Sequence, residues 1–351
     1  MKSKLLIPLA GIVISGLLTA GNVYGFGYGY GAGATGGTTA FKVTNLNDSG
    51  TGSLRDALSA GGRNITFSVN GTIEISSVLV VPGNTTLDGT GHNITVHGHY
   101  VSISGHKNII IKNMRFREDS TAPSDKCSIQ GATTANVMID HCSIEWGRYD
   151  CCEFTAGSSN ITVQYCIIGA AIADQYSGCL VDTGTRVTFH HNLWIDNKTR
   201  NPKLKGNCQY INNVVYNWCD TGGLIGGHSS ANWYCDVINN YFIKGPTSAN
   251  DNWLTDCGTT DQWYVSGNYK DLDKNGSLNG SAIAASEFTA KSVTVLSTKQ
   301  HNPSVAVPTD SAASAVSQAA SGAWGCQPLD SYDTTLVNYL KSYGTQGKKG
   351  K

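Results

Sequence analysis

One short phrase recurs along this chain and limits what it can fold into. It reads "IKNMRF" from Ile111, "IDHCSI" from Ile139, "VQYCII" from Val163, "FHHNLW" from Phe189, "INNVVY" from Ile211, "INNYFI" from Ile238 and "VSGNY" from Val265, at intervals of 22 to 28 residues. A period of that size is a solenoid period, one phrase per coil. Aligning first positions gives an apolar column of Ile111, Ile139, Val163, Phe189, Ile211, Ile238 and Val265. The next column is polar: Lys112, Asp140, Gln164, His190, Asn212, Asn239 and Ser266. Side chains of adjacent strand residues point to opposite faces, so one column belongs in a core and its neighbour outside it. With Gly/Asn turns and no intervening helix, the repeats predict an all-β chain wound as a parallel β-helix.

The flanks fit the same plan. Before Ile111 the rhythm is weaker, and "SGTGSLRDALSAGG" precedes it, where Ser53 is placed to cap a short helix through Leu54 to Leu58. Such a helix would close the open end of a solenoid. From Asp271 the repeat fades into an Ala/Ser/Thr-rich stretch, after which Leu336, Val337 and Leu340 stand at helical spacing. Residues 1–25 have Lys2 and Lys4, an apolar run and then small residues, the layout of a secretory signal. Residues 26–40 read as a Gly/Tyr-rich linker, 41–345 as a single β-helix domain and 346–351 as a disordered tail. The mature protein is expected to be secreted, monomeric and free of the membrane once the signal is cleaved.

Lys+Arg and Asp+Glu number 25 each, which excludes a polybasic nucleic-acid binder and an acidic disordered chain. Eleven cysteines in an exported chain suggest disulfides, with an odd thiol left over. Cys142 and Cys166 share a column at about 4.8 Å strand spacing, close enough either to bridge or to pack as small core residues. No CxxC pair faces another, so structural zinc is not expected.

In this neutral chain Lys198, Arg200, Lys203 and Lys205 crowd around Pro202, directly after a phrase. Asp125, Asp150 and Glu153 lie in turn regions of earlier coils and are the candidate ligands for Ca²⁺, which prefers several oxygens. Cations and acids on one outward grid would suit an anionic polymer, although lysines on outer turns are commonly just solvated. His190 and His191 are adjacent on a strand and are expected on opposite faces, with His141 and His191 stacking in one column as structural groups. No GxSxG, HExxH or Walker-type loop is present.

"NVMIDHCSIEWG", "NITVQYCII", "VTFHHNLWIDNKTRNPKLKG" and "YINNVVYNW" together resemble, in order and approximate spacing, the core of the pectate lyases of the family-one polysaccharide lyases. The resemblance runs from about Phe41 to Phe242. It implies a right-handed parallel β-helix that cleaves α-1,4-polygalacturonate by calcium-dependent β-elimination. In that family an Arg in R-x-P takes the C5 proton, and Arg200-Asn201-Pro202 matches it; Lys205 falls at a second substrate-binding cation, with Lys203 and Lys198 beside it. Asp125, Asp150 and Glu153 fall near the calcium carboxylates. The chain departs from the family where a Lys is common before the "HHN" strand, since that stretch holds only Asp174, Asp182 and Arg186. The turn "WGRYDCCEF" is also rearranged. A non-catalytic β-helix surface or adhesion protein, or a pectic hydrolase working through paired carboxylates, are the other readings of the same fold.

Overall fold

The computed structural model describes residues 27–172 and 175–351. The proposed signal segment 1–25 lies outside the described residues. Each coil contributes up to three short strands, as in Ala135–Asp140, Ser143–Glu145 and Asp150–Thr155. Stacked on their equivalents they form three faces, called here first, second and third in that order. The third-face strand of the next coils, Ser177–His190 and Lys203–Ile211, runs straight on into the first face. The pairing is parallel from coil to coil, so the fold is a parallel β-helix.

A single left-handed residue turns the chain from the first face to the second: His141, Tyr165, His191, Asn212 and Asn239 have φ between 47° and 55°. After it comes a buried column that changes from sulfur to amide, Cys142 and Cys166 and then Asn192, Asn213, Asn240 and Asn268. The asparagines hydrogen-bond in sequence, Asn192 Nδ2 to Asn213 Oδ1 at 3.0 Å, Asn213 Nδ2 to Asn240 Oδ1 at 3.2 Å and Asn240 Nδ2 to Asn268 Oδ1 at 2.9 Å. Buried amides are tolerable there because each finds its partners in the coils above and below.

This column sets the register and corrects the alignment expected from the repeats. Ile139 pairs with Ile111 and Val163, and Val163 with Phe189, as expected. Phe189, however, pairs with Tyr210, and Tyr210 with Val237. Ile211 and Ile238 therefore continue the outward column of Gln164 and His190, and Asn212 and Asn239 occupy the corner. Both corner amides donate to the Asp310 carbonyl at 2.8 Å, tying a later stretch of chain across this face.

Ser53 accepts from the Asp56 amide at the start of helix Leu54–Ala57, and Leu54, Ala57 and Leu58 join the main core as its cap. On the second face the outward residues Ile167, Leu193 and Val214 are apolar and need cover. Helix Ser331–Lys341 supplies it through Leu336, Val337 and Leu340, together with helix Ala312–Ser321 in the stretch where the repeat fades. No helix among the described residues is long and apolar enough to cross a membrane.

Three expectations are revised. All eleven cysteines are free thiols, ten of them buried; stacked pairs such as Cys152 with Cys179 and Cys208 with Cys235 fill core columns. The Gly/Tyr segment is no loose linker from residue 27 onward. Gly31 donates to Thr162 Oγ1 at 2.8 Å, and a Cβ on Gly31 would stand 2.2 Å from the Val137 carbonyl, so glycine is what lets this backbone lie directly on the first face. Residues 346–351 also dock on the solenoid, with the Gly350 amide donating to the Asp196 carbonyl at 3.0 Å.

Candidate active site

After the second-face strand Leu193–Ile195 the chain turns through residues 196–202 before re-entering the third face at Lys203. The turn is fixed from within. Asn197 Nδ2 donates to Asn201 Oδ1 at 2.9 Å and to the Ile168 carbonyl at 3.1 Å, and Tyr210 donates its hydroxyl to the Asn201 carbonyl at 2.9 Å. The Asn201–Pro202 peptide is cis and Arg200 is left-handed, φ 56°. Gly178 admits this backbone, since a Cβ there would lie 2.5 Å from the Arg200 carbonyl.

From this turn the Arg200 guanidinium reaches across the intervening coil at Ser177 to Asp150, with Nη1 2.9 and 3.1 Å from the two carboxylate oxygens. It also stands 5.3 Å from the Tyr149 ring centre. Asp150 is fully buried, and ligand atoms of Asp150, Glu153 and Cys127 all lie within 4.8 Å of one another. Burial drives the Asp150 pKa up, Arg200 pulls it back, Glu153 adds to the rise, and the balance is about 7. Burial likewise raises the Glu153 pKa and lifts the Cys127 thiol well above its ordinary value. For Arg200, burial works against the charge, but the Asp150 carboxylate and Tyr149 outweigh it and raise the pKa.

Lys203 and Lys205 flank the buried Leu204, so both point outward from the third face. Each lysine of the cluster meets an acid from another coil: Lys198 with Asp220 at 3.6 Å, Lys205 with Asp182 at 3.0 Å and, across the coil of Ile225, Lys203 with Asp256 at 2.8 Å. Asp125 is not brought to the acidic group. It sits on the turn before Cys127, its side chain 71% exposed and paired with Lys126 at 3.1 Å, and the next inward-reaching side chain, Cys127, stands there instead. Asp174 lies outside the described residues. Sequence reasoning missed Cys127, Tyr149, Asp220 and Asp256. Register alone would have exposed Asp182, which pairs directly with Lys205.

Could the acidic group hold a cation? Gln130 pairs in register with Glu153, and its Oε1 is buried without a partner. Two crowded carboxylates and an unpartnered amide oxygen form a hard-oxygen donor set that suits Ca²⁺, whereas a protonated Cys127 thiol does not contribute. Asp150, Glu153 and Gln130 therefore fit the ion.

His190 and His191 are both buried, and their Nδ1 atoms are 2.9 Å apart, because the left-handed His191 swings its ring out beside its neighbour. Opposite-face placement holds only for two extended residues. The His141, Tyr165, His191 stack does form, with centroids 5.0 Å apart at each step. A cavity of about 330 Å³ on the second face, lined by Glu74, His97, Arg117, Trp146 and Asp330, includes no residue of the Arg200 group. The Arg200 group stands on the outward side of a strand face, the topography a long polymer can lie along.

No protein-family model matches the chain. It is 40% identical to a protein of Neosartorya fischeri named probable pectate lyase C, over 99% of this chain and 83% of that one. Among solved structures, the thermostable pectate lyase PL 47 superimposes with a TM-score of 0.64 at 16% identity, covering 86% of this chain and 97% of its own. The pectate lyase Bsp165PelA from Bacillus sp. N165, solved with trigalacturonate, does so with a TM-score of 0.53 at 18% identity, covering 84% and 97%. At such identities the structural likeness speaks for the fold.

Proposed function

This chain belongs to the pectate lyases, which are polysaccharide lyases, and from that premise we propose that it is a secreted, calcium-dependent enzyme cleaving α-1,4-linked polygalacturonate by β-elimination. One observation carries the reading: the Arg200 guanidinium lies 2.9 Å from Asp150 inside a group with Glu153, on the face from which Lys203 and Lys205 also point.

Elimination removes the proton at C5 of a uronate ring and expels the glycosidic oxygen from C4, leaving a C4–C5 double bond on one fragment and a new hydroxyl on the other. Ca²⁺ held by Asp150, Glu153 and Gln130 would neutralise the sugar carboxylate and so stabilise charge developing beside C5. Arg200 is the proton acceptor in this scheme. Its contact with Asp150 holds the guanidinium charged, so base action requires that contact to be given up as the carboxylate engages elsewhere. Lys205, Lys203 and Lys198 bind sugar carboxylates by exchanging one carboxylate partner for another, at small net cost for half-exposed pairs.

The test is to incubate the mature protein with polygalacturonate and Ca²⁺ and follow ultraviolet absorbance of the unsaturated ends, with and without chelator. Absorbance that grows only with Ca²⁺, and is lost in Arg200→Ala while the fold persists, is expected. Reducing ends without that absorbance would establish a hydrolase. No cleavage of any pectic substrate would establish a non-catalytic protein.

A further inference from the structure

Residues 346–351 read "QGKKGK", and nothing in the catalytic scheme uses them. In the structure they form a strap across the turns that lead into the third face. The Gln346 carbonyl accepts from the Tyr216 hydroxyl, the Lys348 amide donates to Asp196 Oδ2 at 3.3 Å, and the Gly350 amide donates to the Asp196 carbonyl at 3.0 Å. Asp196 is itself held by Asn217 Nδ2 at 2.6 Å. The two glycines make this docking possible. A Cβ at Gly347, φ 152°, would meet Asn217 Nδ2 at 2.7 Å, and one at Gly350, φ 63°, would meet the Ala171 carbonyl at 2.5 Å and the Tyr176 ring at 2.7 Å. Between these two anchor glycines stand Lys348 and Lys349, both exposed.

Where the strap lies gives the lysines a use. Lys349 Nζ is 3.2 Å from Asp220 and 5.6 Å from the centre of the Tyr176 ring. Asp220 is also the partner of Lys198, so strap and catalytic turn meet on one carboxylate. The charge count then matters. Lys198, Arg200, Lys203 and Lys205 face Asp220, Asp150, Asp256 and Asp182, four cations against four acids. Taken alone, the cleft offers a polyanion no excess of positive charge. Lys349 shares Asp220, an acid already counted, and Lys348 stands next to it on the strap with its amide on Asp196, so the strap brings positive charge to the edge of the cleft.

We propose that the docked strap is an outer subsite of the cleft, in which Lys348 and Lys349 bind carboxylates of a polyuronate chain beyond the sugars at Arg200. The proposal rests on the lyase reading for its substrate and adds the residues that grip the polymer at the rim. Contacts of this kind are made equally in ground and transition states, so they act on substrate affinity rather than turnover. Being exposed, they are screened by salt.

The test uses the full mature chain and polygalacturonate. Lys348→Gln with Lys349→Gln is expected to raise KM about threefold to tenfold at low salt with kcat retained, the size two exposed charges can supply. The rise should shrink in high salt, and Lys348→Arg with Lys349→Arg should restore KM. Gly350→Ala keeps both lysines but obstructs docking, and is expected to raise KM in the same way. An unchanged or lowered KM in the double Gln variant overturns the proposal, as does a rise that salt leaves unaltered. A wild-type protein that forms no unsaturated product would sink the lyase reading. The strap is then judged by polygalacturonate retention in affinity electrophoresis, where equal retention of wild type and double variant rejects it.

Discussion

Replacing Arg200 by Ala tests the electrostatics of the site apart from its chemistry. Asp150 is fully buried with a pKa of about 7, above the value of about 3.9 expected in an unfolded chain. Between those values the native state holds a proton that the unfolded state has lost, so this group lowers stability as pH rises through the window, and its effect levels off above about 7. There the carboxylate is ionised and paired with Arg200. Without the guanidinium the Ser177 hydrogen bond is left to oppose burial and Glu153, the Asp150 pKa rises further, and the loss of stability continues past neutrality. Removing one partner of a buried ion pair costs about 3–5 kcal/mol. Asp150 in the variant escapes that full cost by keeping its proton. At about pH 8, one unit above its pKa of about 7 in the intact pair, the pH-dependent part is therefore at most about 1.4 kcal/mol on top of what is lost at lower pH. At about pH 5 Asp150 is protonated in both proteins, and what is lost is the contact with Tyr149 and a hydrogen bond to the neutral carboxyl, about 1–2 kcal/mol. Urea unfolding followed by circular dichroism, in chelator at both pH values, measures the difference. Adding Asp150→Asn to Arg200→Ala should return most of the loss at the higher pH without returning activity. A cost that is equal at the two pH values, or greater at the lower one, refutes this reasoning.

Two further outcomes test the scaffold. Asn213→Ala removes the acceptor of the Asn192 amide and side chain and the donor to the Phe189 carbonyl, all buried; at about 1–3 kcal/mol per stranded group the expected destabilisation is about 4 kcal/mol, read from the urea midpoint. A shift below about 1 kcal/mol would remove the ladder from the account of stability. Alkylation of the protein under denaturing conditions without reductant should label all eleven cysteines, while native protein should react only at the half-buried Cys257. Incomplete labelling after denaturation would reveal disulfides that the free thiols of this structure rule out.

The repeat made the solenoid legible because its rule is local. One strand alternates inside and outside, and equal spacing brings equivalent residues together. Register was less legible. Aligning phrases on their first apolar residue put Ile211 and Ile238 in the core, whereas the coils are keyed by the corner residue and the asparagine that follows it. That key is a set of amide contacts between coils, which no single phrase displays.

At the site the sequence alone determined which groups are available: Arg200 beside Pro202, lysines alternating about Leu204, and carboxylates at Asp150 and Glu153 in an earlier coil. Their pairing belongs to the tertiary structure. Arg200 finds Asp150 fifty positions away because parallel coils stack the two turns, and Asp125 loses its place to Cys127 because two residues of a turn change which side chain reaches inward. The strap shows the same division. Gly-Lys-Lys-Gly reads as a frayed tail until two glycines are seen to press against Asn217 and Ala171. Chemistry is carried by residue type, which is written along the chain. Proximity and desolvation are properties of the stack, and they decide which carboxylates keep their protons and which lysines meet an acid.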